Sequence, residues 1–276
     1  MQENGTLYVC ATPIGNLGDI TLRVIETLKQ VDFIAAEDTR HSRKLLNYYH
    51  INTPLISYHQ HNEKFRTNEV MKRLKAGENC ALISDAGMPG ISDPGQVLIN
   101  TCLAENIKID VLPGPNAAVT ALVLSGMPTE SFIYLGFLPS ASGERKKILS
   151  NISELPYTSI FYEAPHRIIR TLEDIQEVLG DRLTVVAREL TKVHQSIHKG
   201  LTGELLDEFR MTAPKGECCI LIGPYIQKKE TGQPMDWLEE IKKLELEGKE
   251  SKEAMKIVAK KRGISKRDIY KAKLES

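Results

Sequence analysis

Short apolar runs alternate with helical patterns along the first 112 residues of the chain. The apolar runs have the length and composition of buried strands and occupy residues 7–11, 31–36, 54–57, 80–83 and 107–112. Between them, apolar residues recur every three or four positions, which predicts helices at 21–30, 42–49, 63–76 and 95–105. This alternation predicts a mostly parallel sheet with right-handed crossovers.

A second α/β unit is predicted after a break at residues 126–128. Its strands are predicted at 132–137, 158–162, 183–187 and 217–222. Its helices are predicted to begin at Ser142 and to cover 168–179, with Gly180 as C-cap, and 201–209. The helix that joins the two units, 117–125, is nearly all apolar and is therefore predicted to be buried.

A polar, Gly-containing linker near 228–234 precedes a third unit. Three short helices are predicted there, at 237–246, 251–262 and 265–273, with Ser251 and Ser265 as N-caps. Their arrangement is similar to a helix-turn-helix module. The sequence thus predicts domains at 1–118, 119–227 and 228–276.

Composition and charge narrow the class of protein. The 276 residues are 41% hydrophobic and 26% charged, which is typical of a globular protein. No apolar run approaches the ~18 residues of a membrane helix, and no secretory signal is recognised, so a cytoplasmic protein is expected. The five cysteines form no C-x-x-C pair, which predicts reduced, buried thiols. Residues 251–276 hold nine Lys or Arg residues against three acids, which favours either a polyanion partner or a solvated helix surface.

Two loops rich in Gly and Pro follow predicted strands, at 84–95 (SDAGMPGISDPG) and 113–117 (PGPNA). Ligands of open α/β sheets bind at the carboxyl ends of strands, where Gly permits close approach and Pro stiffens the loop. The loops hold few reactive groups, with Asp85 as the one carboxylate at the strand tip, so they are predicted to hold a cofactor by main chain. No Walker loop, dinucleotide fingerprint or nucleophile elbow is present, and the His spacing indicates no metal site.

These loops resemble those of the tetrapyrrole-methylase superfamily, the class III S-adenosylmethionine methyltransferases. Within it, the chain resembles the bacterial ribosomal RNA small subunit methyltransferase I family. Seven segments match in family order: 11–20 (ATPIGNLGDI), 37–40 (EDTR), 84–95, 112–117 (LPGPNA), 161–167 (FYEAPHR), 187–192 (ARELTK) and 215–217 (KGE). Asn116 stands where many members have Ser.

The resemblance implies two α/β units plus a small C-terminal three-helix module. It implies methyl transfer from S-adenosylmethionine to the ribose 2′-hydroxyl of a cytidine in the decoding region of 16S ribosomal RNA, within the small subunit. It also implies a homodimer, with the cofactor in the cleft between the two α/β units. The residue patterns described above predict no membrane and no metal. The cofactor residues that the resemblance implies are Pro13, Asp85, Ala86, Gly87, Met88, Asn116, Ala117, Tyr162 and Leu190. For Asp85, a purely turn-forming role stays open.

The ribose hydroxyl must lose its proton, and a general base accelerates that step. Candidates at strand ends are Asp38, His41, Glu163, His166, Glu189 and Lys192. Asp38 and Lys192 are favoured as polar groups at the acceptor, and Asp38→Ala is expected to lower turnover with little change in cofactor affinity. A simple Asp38–Arg40 ion pair stays open as the alternative.

RNA is expected to be held mainly through its phosphates. The basic residues predicted to line the cleft are Arg40, Arg43, Lys44, Arg145, Lys146, Lys147, Arg167 and Lys192. A second contact is predicted on the tail, at Lys252, Lys256, Lys266 and Arg267. Three other functions stay open: a tetrapyrrole methylase of the same fold, a non-catalytic RNA-binding assembly factor and a nucleotide hydrolase.

Overall fold

The computed structural model describes residues 3–226 and 234–274. The first sheet contains five parallel strands, which confirms the predicted parallel sheet, and their order is β3-β2-β4-β1-β5. The strands are β1 (Leu7–Cys10), β2 (Phe33–Ala36), β3 (Leu55–Ser57), β4 (Cys80–Ile83) and β5 (Ile109–Leu112). The helices are α1 (Leu22–Gln30), α2 (Thr39–Tyr48), α3 (Glu63–Lys75) and α4 (Gln96–Ala104), with a 3-10 turn at Leu17–Asp19.

Both faces of this sheet are buried. Along β2, Phe33 and Ala35 belong to one apolar cluster, whereas Ile34 and Ala36 belong to the cluster on the other face. This is the two-residue period of a strand that is covered on both sides. Because all five strands are parallel, the loops that follow them meet at one edge of the sheet.

Helix α2 begins three residues earlier than the sequence predicted. The Asp38 carboxylate accepts a hydrogen bond from Arg40 N at 2.8 Å and forms the N-cap. An aspartate in this position satisfies one of the free N–H groups of the first turn. The expected start at Ser42 was wrong because the polar first turn carries no apolar periodicity.

The joining helix α5 (Ala117–Ser125) is buried on one side only. Ala118, Ala121 and Leu122 pack with residues of the second sheet. On the other side, Val123 is 71% exposed, and Val119 is also exposed. The prediction that this helix is buried was therefore wrong for its outward side.

The second sheet is mixed, in the order β6-β7-β10-β8-β9. Its strands are β6 (Phe132–Phe137), β7 (Thr158–Glu163), β8 (Leu183–Arg188), β9 (Ser196–Leu201) and β10 (Cys218–Ile222). Its helices are α6 (Ser142–Asn151), α7 (Ile168–Leu179) and α8 (Thr202–Met211), with a 3-10 turn at Pro165–Arg167. Only β6 and β7 pair in parallel. Strand β9 was not predicted, because this half-exposed edge strand lacks an apolar run.

The chain divides into two compact units, Met1–Tyr225 and Ile226–Ser276. The described part of the second unit contains α9 (Pro234–Leu246), α10 (Ser251–Arg262) and α11 (Lys266–Leu274). Its small core includes Ile241, Val258 and Ile269. The Ser265 hydroxyl accepts from Asp268 N at 3.1 Å, as expected of an N-cap, whereas Glu250 and not Ser251 precedes α10.

The division at 118 and 227 is our proposal, to which the contact between α5 and the second sheet lends support. The predicted linker at 228–234 falls almost wholly outside the described residues. None of the described helices is both long enough and apolar enough to cross a membrane.

Candidate active site

A cavity of about 330 Å³ lies where the loops of the first sheet meet the second sheet. Seven of the nine residues predicted to hold the cofactor line it: Ala86, Gly87, Met88, Asn116, Ala117, Tyr162 and Leu190. Pro13 and Asp85 do not line it. The two Gly/Pro loops thus form a single site together with β7, β8 and β10.

Backbone hydrogen bonds of Gly87 connect the 84–95 loop to the end of β1. Thr12 N donates to Gly87 O at 2.8 Å, and Gly87 N donates to Thr12 O at 3.0 Å. Gly87 has a φ of +78°, a conformation that residues with a Cβ rarely adopt. The main chain of this loop is thereby fixed at the cavity wall.

Asp85 connects the ends of β2 and β4. Its Oδ1 accepts from Asp38 N at 3.1 Å, and its own N–H donates to Glu37 Oε2 at 3.3 Å. The structure therefore gives Asp85 a loop-joining role beside the cavity, and direct contact with the cofactor stays a prediction.

The N-terminus of α5 faces the cavity through Asn116 and Ala117. Asn116 Oδ1 accepts from Val119 N at 3.0 Å and caps the helix. Tyr162 Oη accepts from Ala118 N at 3.2 Å, so the tyrosine is anchored on the same turn. Burial raises the pKa of Tyr162, which keeps the phenol neutral.

The loop that follows β8 places Leu190 in the cavity between two strained residues. Glu189 and Thr191 have φ values of +48° and +65°, which are uncommon for side-chain-bearing residues and unfavourable for a β-branched one. Lys192 Nζ donates to Glu189 Oε1 and to Glu217 Oε2, both at 2.9 Å. Partial burial acts to lower the pKa of Lys192, but these hydrogen bonds outweigh it and raise the pKa. Lys192 is therefore a fixed cation and cannot accept a proton near neutral pH.

The Asp38 carboxylate is a poor proton acceptor. Hydrogen bonds from the Arg40 side chain and from Arg40 N lower the pKa of this exposed carboxyl to about 2. Asp38 and Arg40 form an ion pair, with Arg40 Nη2 at 3.1 Å from Asp38 Oδ2.

Two of the arginines predicted to bind RNA instead hold the loop that follows β6. The Arg145 side chain is 4% exposed, and its Nε donates to Asp174 Oδ2 at 2.6 Å. Arg167 Nη2 donates to Leu138 O at 2.6 Å. The expectation that Arg145 contacts a phosphate was wrong, because the charge pattern of 144–147 does not show that this side chain points inward. Lys146 pairs with Glu177 at 2.6 Å.

The other predicted RNA contacts lie on the surface. Arg40, Arg43, Lys44 and Lys147 of the first unit are exposed, as are Lys252, Lys256 and Arg267 of the second. The side chain of Lys266 lies outside the described residues. These contacts stay predictions.

Asp93 lines the cavity and was missed at the sequence level. Burial, followed by the nearby charge of Glu37, raises its pKa to about 7. Of the carboxylates in the Gly/Pro loops, only Asp85, at the strand tip, was a predicted site residue. The signal was present, since Asp93 belongs to the same 84–95 loop as Asp85.

The cavity fits S-adenosylmethionine. Its volume is within the usual range for small-molecule sites. Apolar side chains such as Ile14, Met88 and Leu190 form much of the wall, together with main chain of 86–88 and the carboxyl group of Asp93. The apolar wall suits the adenine ring and the hydrocarbon part of this cofactor, and the main-chain groups suit its polar atoms. Among the described residues, no group of three or more His, Cys, Asp or Glu is arranged to hold a metal.

Comparison with known proteins agrees with this geometry. A family model described as tetrapyrrole (corrin/porphyrin) methylases matches residues 6–206. Two solved structures share the fold: a cobalt precorrin-4 methyltransferase (TM-score 0.60, 17% identity, 79% of this chain and 94% of that one) and a uroporphyrin III C-methyltransferase from Thermus thermophilus (TM-score 0.57, 14% identity, 79% and 97%).

Three curated relatives are each named ribosomal RNA small subunit methyltransferase I. That of Synechocystis sp. is 44% identical over 273 residues, 98% of both chains, and that of Bacillus subtilis is 42% identical over 277 residues, 98% of this chain and 94% of its own. That of Thermotoga maritima is 44% identical over 218 residues, 79% of this chain and 98% of its own length. This chain belongs to the ribosomal RNA small subunit methyltransferase I family, within the tetrapyrrole methylase superfamily.

Proposed function

We propose that this chain transfers a methyl group to the ribose 2′-hydroxyl of a cytidine in the decoding region of 16S ribosomal RNA. The observation that carries the proposal is the cavity at the carboxyl edge of the first sheet, in a chain that matches ribosomal RNA methyltransferases over nearly its full length. The nucleotide and the position of the methyl group come from the family resemblance.

The methyl donor is S-adenosylmethionine. The cofactor supplies a methyl group that is bonded to a positively charged sulfur. After transfer, the sulfur is part of a neutral thioether. The main chain of 86–88 and the N-terminal turn of α5 hold the donor, while Tyr162 and Leu190 close the pocket. These groups exclude water and orient the acceptor oxygen, and positioning of this kind supplies a large part of the rate.

Basic side chains on both units hold the RNA. Arg43 and Lys44 are exposed on α2, which starts at the same sheet edge as the cavity. Lys252 and Lys256 are exposed one helical turn apart on α10. Contacts of this type bind phosphates without regard to sequence and weaken as salt increases. A substrate inside the small ribosomal subunit also places the protein in the cytoplasm.

The active form is a homodimer. Helix α5 connects the edge strands β5 and β6, and all three expose apolar side chains, including Val111, Val123 and Phe132. Exposed apolar surface of this kind is typical of an interaction site. Sedimentation of Val123→Asp should show a shift to monomer, whereas Met211→Asp, which changes an even more exposed apolar residue on α8, should sediment like the wild type.

The test of the activity is methyl transfer from labelled S-adenosylmethionine to purified small subunits from a strain that lacks this gene. Nuclease digestion should then release a 2′-O-methylcytidine that maps to the decoding region. Binding of the cofactor without transfer to the subunit would contradict the proposal and favour a small-molecule acceptor or a role in RNA binding alone.

A further inference from the structure

Methyl transfer to a ribose hydroxyl needs a group that accepts the hydroxyl proton. Most of the candidate bases predicted from the sequence already form hydrogen bonds or ion pairs with other residues. The Glu163 carboxylate accepts from Thr171 Oγ1 at 2.6 Å and from Ala164 N at 2.9 Å, and it lies 3.1 Å from Arg167 Nε. Glu189 accepts from Lys192 and from Glu217 N. The pKa of Asp38 is too low for an effective base, and Lys192 already carries its proton near neutral pH.

The two histidines among the candidates lie elsewhere. His41 and His166 are exposed and do not line the cavity. Of the carboxyl residues that line it, Glu217 is 76% exposed at its side chain and is paired with Lys192. The remaining one is Asp93.

Asp93 is positioned in the cavity wall by the residue that precedes it. The preceding residue, Ser92, has a φ of +64° and forms a 2.6 Å hydrogen bond between its Oγ and Tyr134 Oη on β6. A positive φ at a serine is unfavourable by itself and persists only where the surroundings enforce it. The cross-sheet bond therefore fixes where the Asp93 side chain enters the cavity. No ion pair to Asp93 is found among the described residues.

The groups around Asp93 make it a stronger base than an ordinary aspartate. Glu37 at the end of β2 and Asp85 at the end of β4 face it with like charge, while the Ser84 hydroxyl hydrogen-bonds it. Tyr134 faces it from β6, and His59 lies beside Glu37. Burial and the charge of Glu37 outweigh the hydrogen bond, and the pKa of about 7 falls near the pH at which a cellular enzyme works.

We propose that Asp93 is the catalytic residue that accepts the proton of the ribose 2′-hydroxyl. This inference rests on the proposed function. The ribose oxygen forms a bond to the methyl carbon, the carbon–sulfur bond breaks, and its electron pair stays on sulfur. The O–H proton passes to an Asp93 carboxylate oxygen, from which it is later released to solvent. The sulfonium charge is neutralised, and no other reactant is needed.

The test is the pH dependence of single-turnover methylation of unmodified small subunits, from about pH 5.5 to about pH 9. Because the carboxylate form is active, the wild-type rate should rise about tenfold per pH unit and level off above about pH 7. Asp93→Asn should be slower by about 10²–10⁴-fold and should lose this rise, while its cofactor affinity by calorimetry stays within about threefold of the wild type.

Glu37→Gln supplies a second, independent readout. The glutamine oxygen can still accept from Asp85 N, but the like charge beside Asp93 is gone. The pKa of Asp93 should fall, so the midpoint of the rise in rate should move to lower pH. A merely structural role for Glu37 or Asp93 would not move this midpoint.

Two results would overturn the proposal. In the first, Asp93→Asn keeps the wild-type rate and pH dependence. In the second, it binds the cofactor weakly but shows the wild-type rate and pH dependence at saturation, which would make Asp93 a cofactor anchor. A wild-type protein that binds the cofactor but does not methylate small subunits would instead overturn the proposed function itself, so the wild-type control separates the two failures.

Discussion

Gly15 lies directly against Lys192 where the loop after β1 meets the loop after β8. A Cβ on Gly15 would approach Lys192 Cγ to 2.5 Å and Leu190 O to 2.9 Å. Next to it, Asn16 N donates to Thr191 Oγ1 at 3.0 Å. The two loops therefore touch here without room for a methyl group, and this contact supports the cavity wall at Leu190.

Gly15→Ala should therefore damage the site as well as the fold. Overpacking of this kind costs about 1–3 kcal/mol, because a backbone oxygen cannot move away as a side chain can. We expect a lower melting temperature and a weakening of cofactor binding by about tenfold, or ~1.4 kcal/mol. Gly143→Ala is the matched control: a Cβ there meets nothing within 4 Å, and the residue lies in α6. Wild-type cofactor affinity in Gly15→Ala would show that the contact is not part of the site.

The parts of this fold that follow from local pattern could be predicted from the sequence. Strand β4 is an apolar run and α7 has a clear helical period, so both were found close to their true bounds. The features that depend on which side of a helix faces the core could not be predicted in this way. Val123 is as apolar as a core residue but points outward, and Arg145 is as charged as a surface residue but points inward.

The same distinction between predictable and unpredictable features applies to the candidate site. Most of the residues that line the cavity in the two Gly/Pro loops were expected from the resemblance of those loops to the family. Asp93 was missed because its importance comes from Glu37, Asp85 and Ser84, which lie on other segments or earlier in the loop. A single sequence does not show how such groups converge.

Arg145→Ala should destabilise the protein rather than weaken its contact with RNA. The change removes the buried guanidinium that pairs with Asp174, so only Ser142 Oγ at 2.9 Å and the partly exposed Lys146 Nζ at 3.6 Å remain beside this carboxylate. Breaking a buried pair on one side typically costs about 3–5 kcal/mol. Urea denaturation should show a loss of this size, whereas Lys147→Ala, an exposed neighbour on α6, should change the free energy of unfolding by less than about 0.5 kcal/mol. Equal stabilities would contradict the structural role of Arg145.

Lys252→Gln combined with Lys256→Gln should weaken the binding of small subunits and reduce its salt dependence. Each lost phosphate contact lowers the slope of log K against log salt by about 1. Both side chains are exposed on α10, so the change should not alter folding. Lys29→Gln with Lys72→Gln removes the same charge from α1 and α3 and should leave the slope unchanged. Identical slopes for the two double variants would mean that the α10 lysines do not contact RNA.

The raised pKa of Asp93 also predicts how stability changes with pH. The pKa rises from 3.8 to about 7 on folding, so the native state holds this proton more tightly than the unfolded chain does. The contribution of Asp93 to stability is therefore full below about pH 4 and is lost as the pH rises towards 7. Asp93→Asn does not lose this contribution. Its melting temperature relative to that of the wild type should therefore increase by about 2–4 °C from pH 5 to pH 8, or ~1 kcal/mol after allowance for screening.

Asp38→Asn is the control of opposite sign for this experiment. The pKa of Asp38 is lowered to about 2, so its contribution to stability is present above pH 4 and is lost only in stronger acid. The melting-temperature difference between Asp38→Asn and the wild type should therefore stay constant from pH 5 to 8. If the Asp93→Asn difference were also constant over this range, Asp93 would be ionised throughout and could not produce a rise in rate near pH 7.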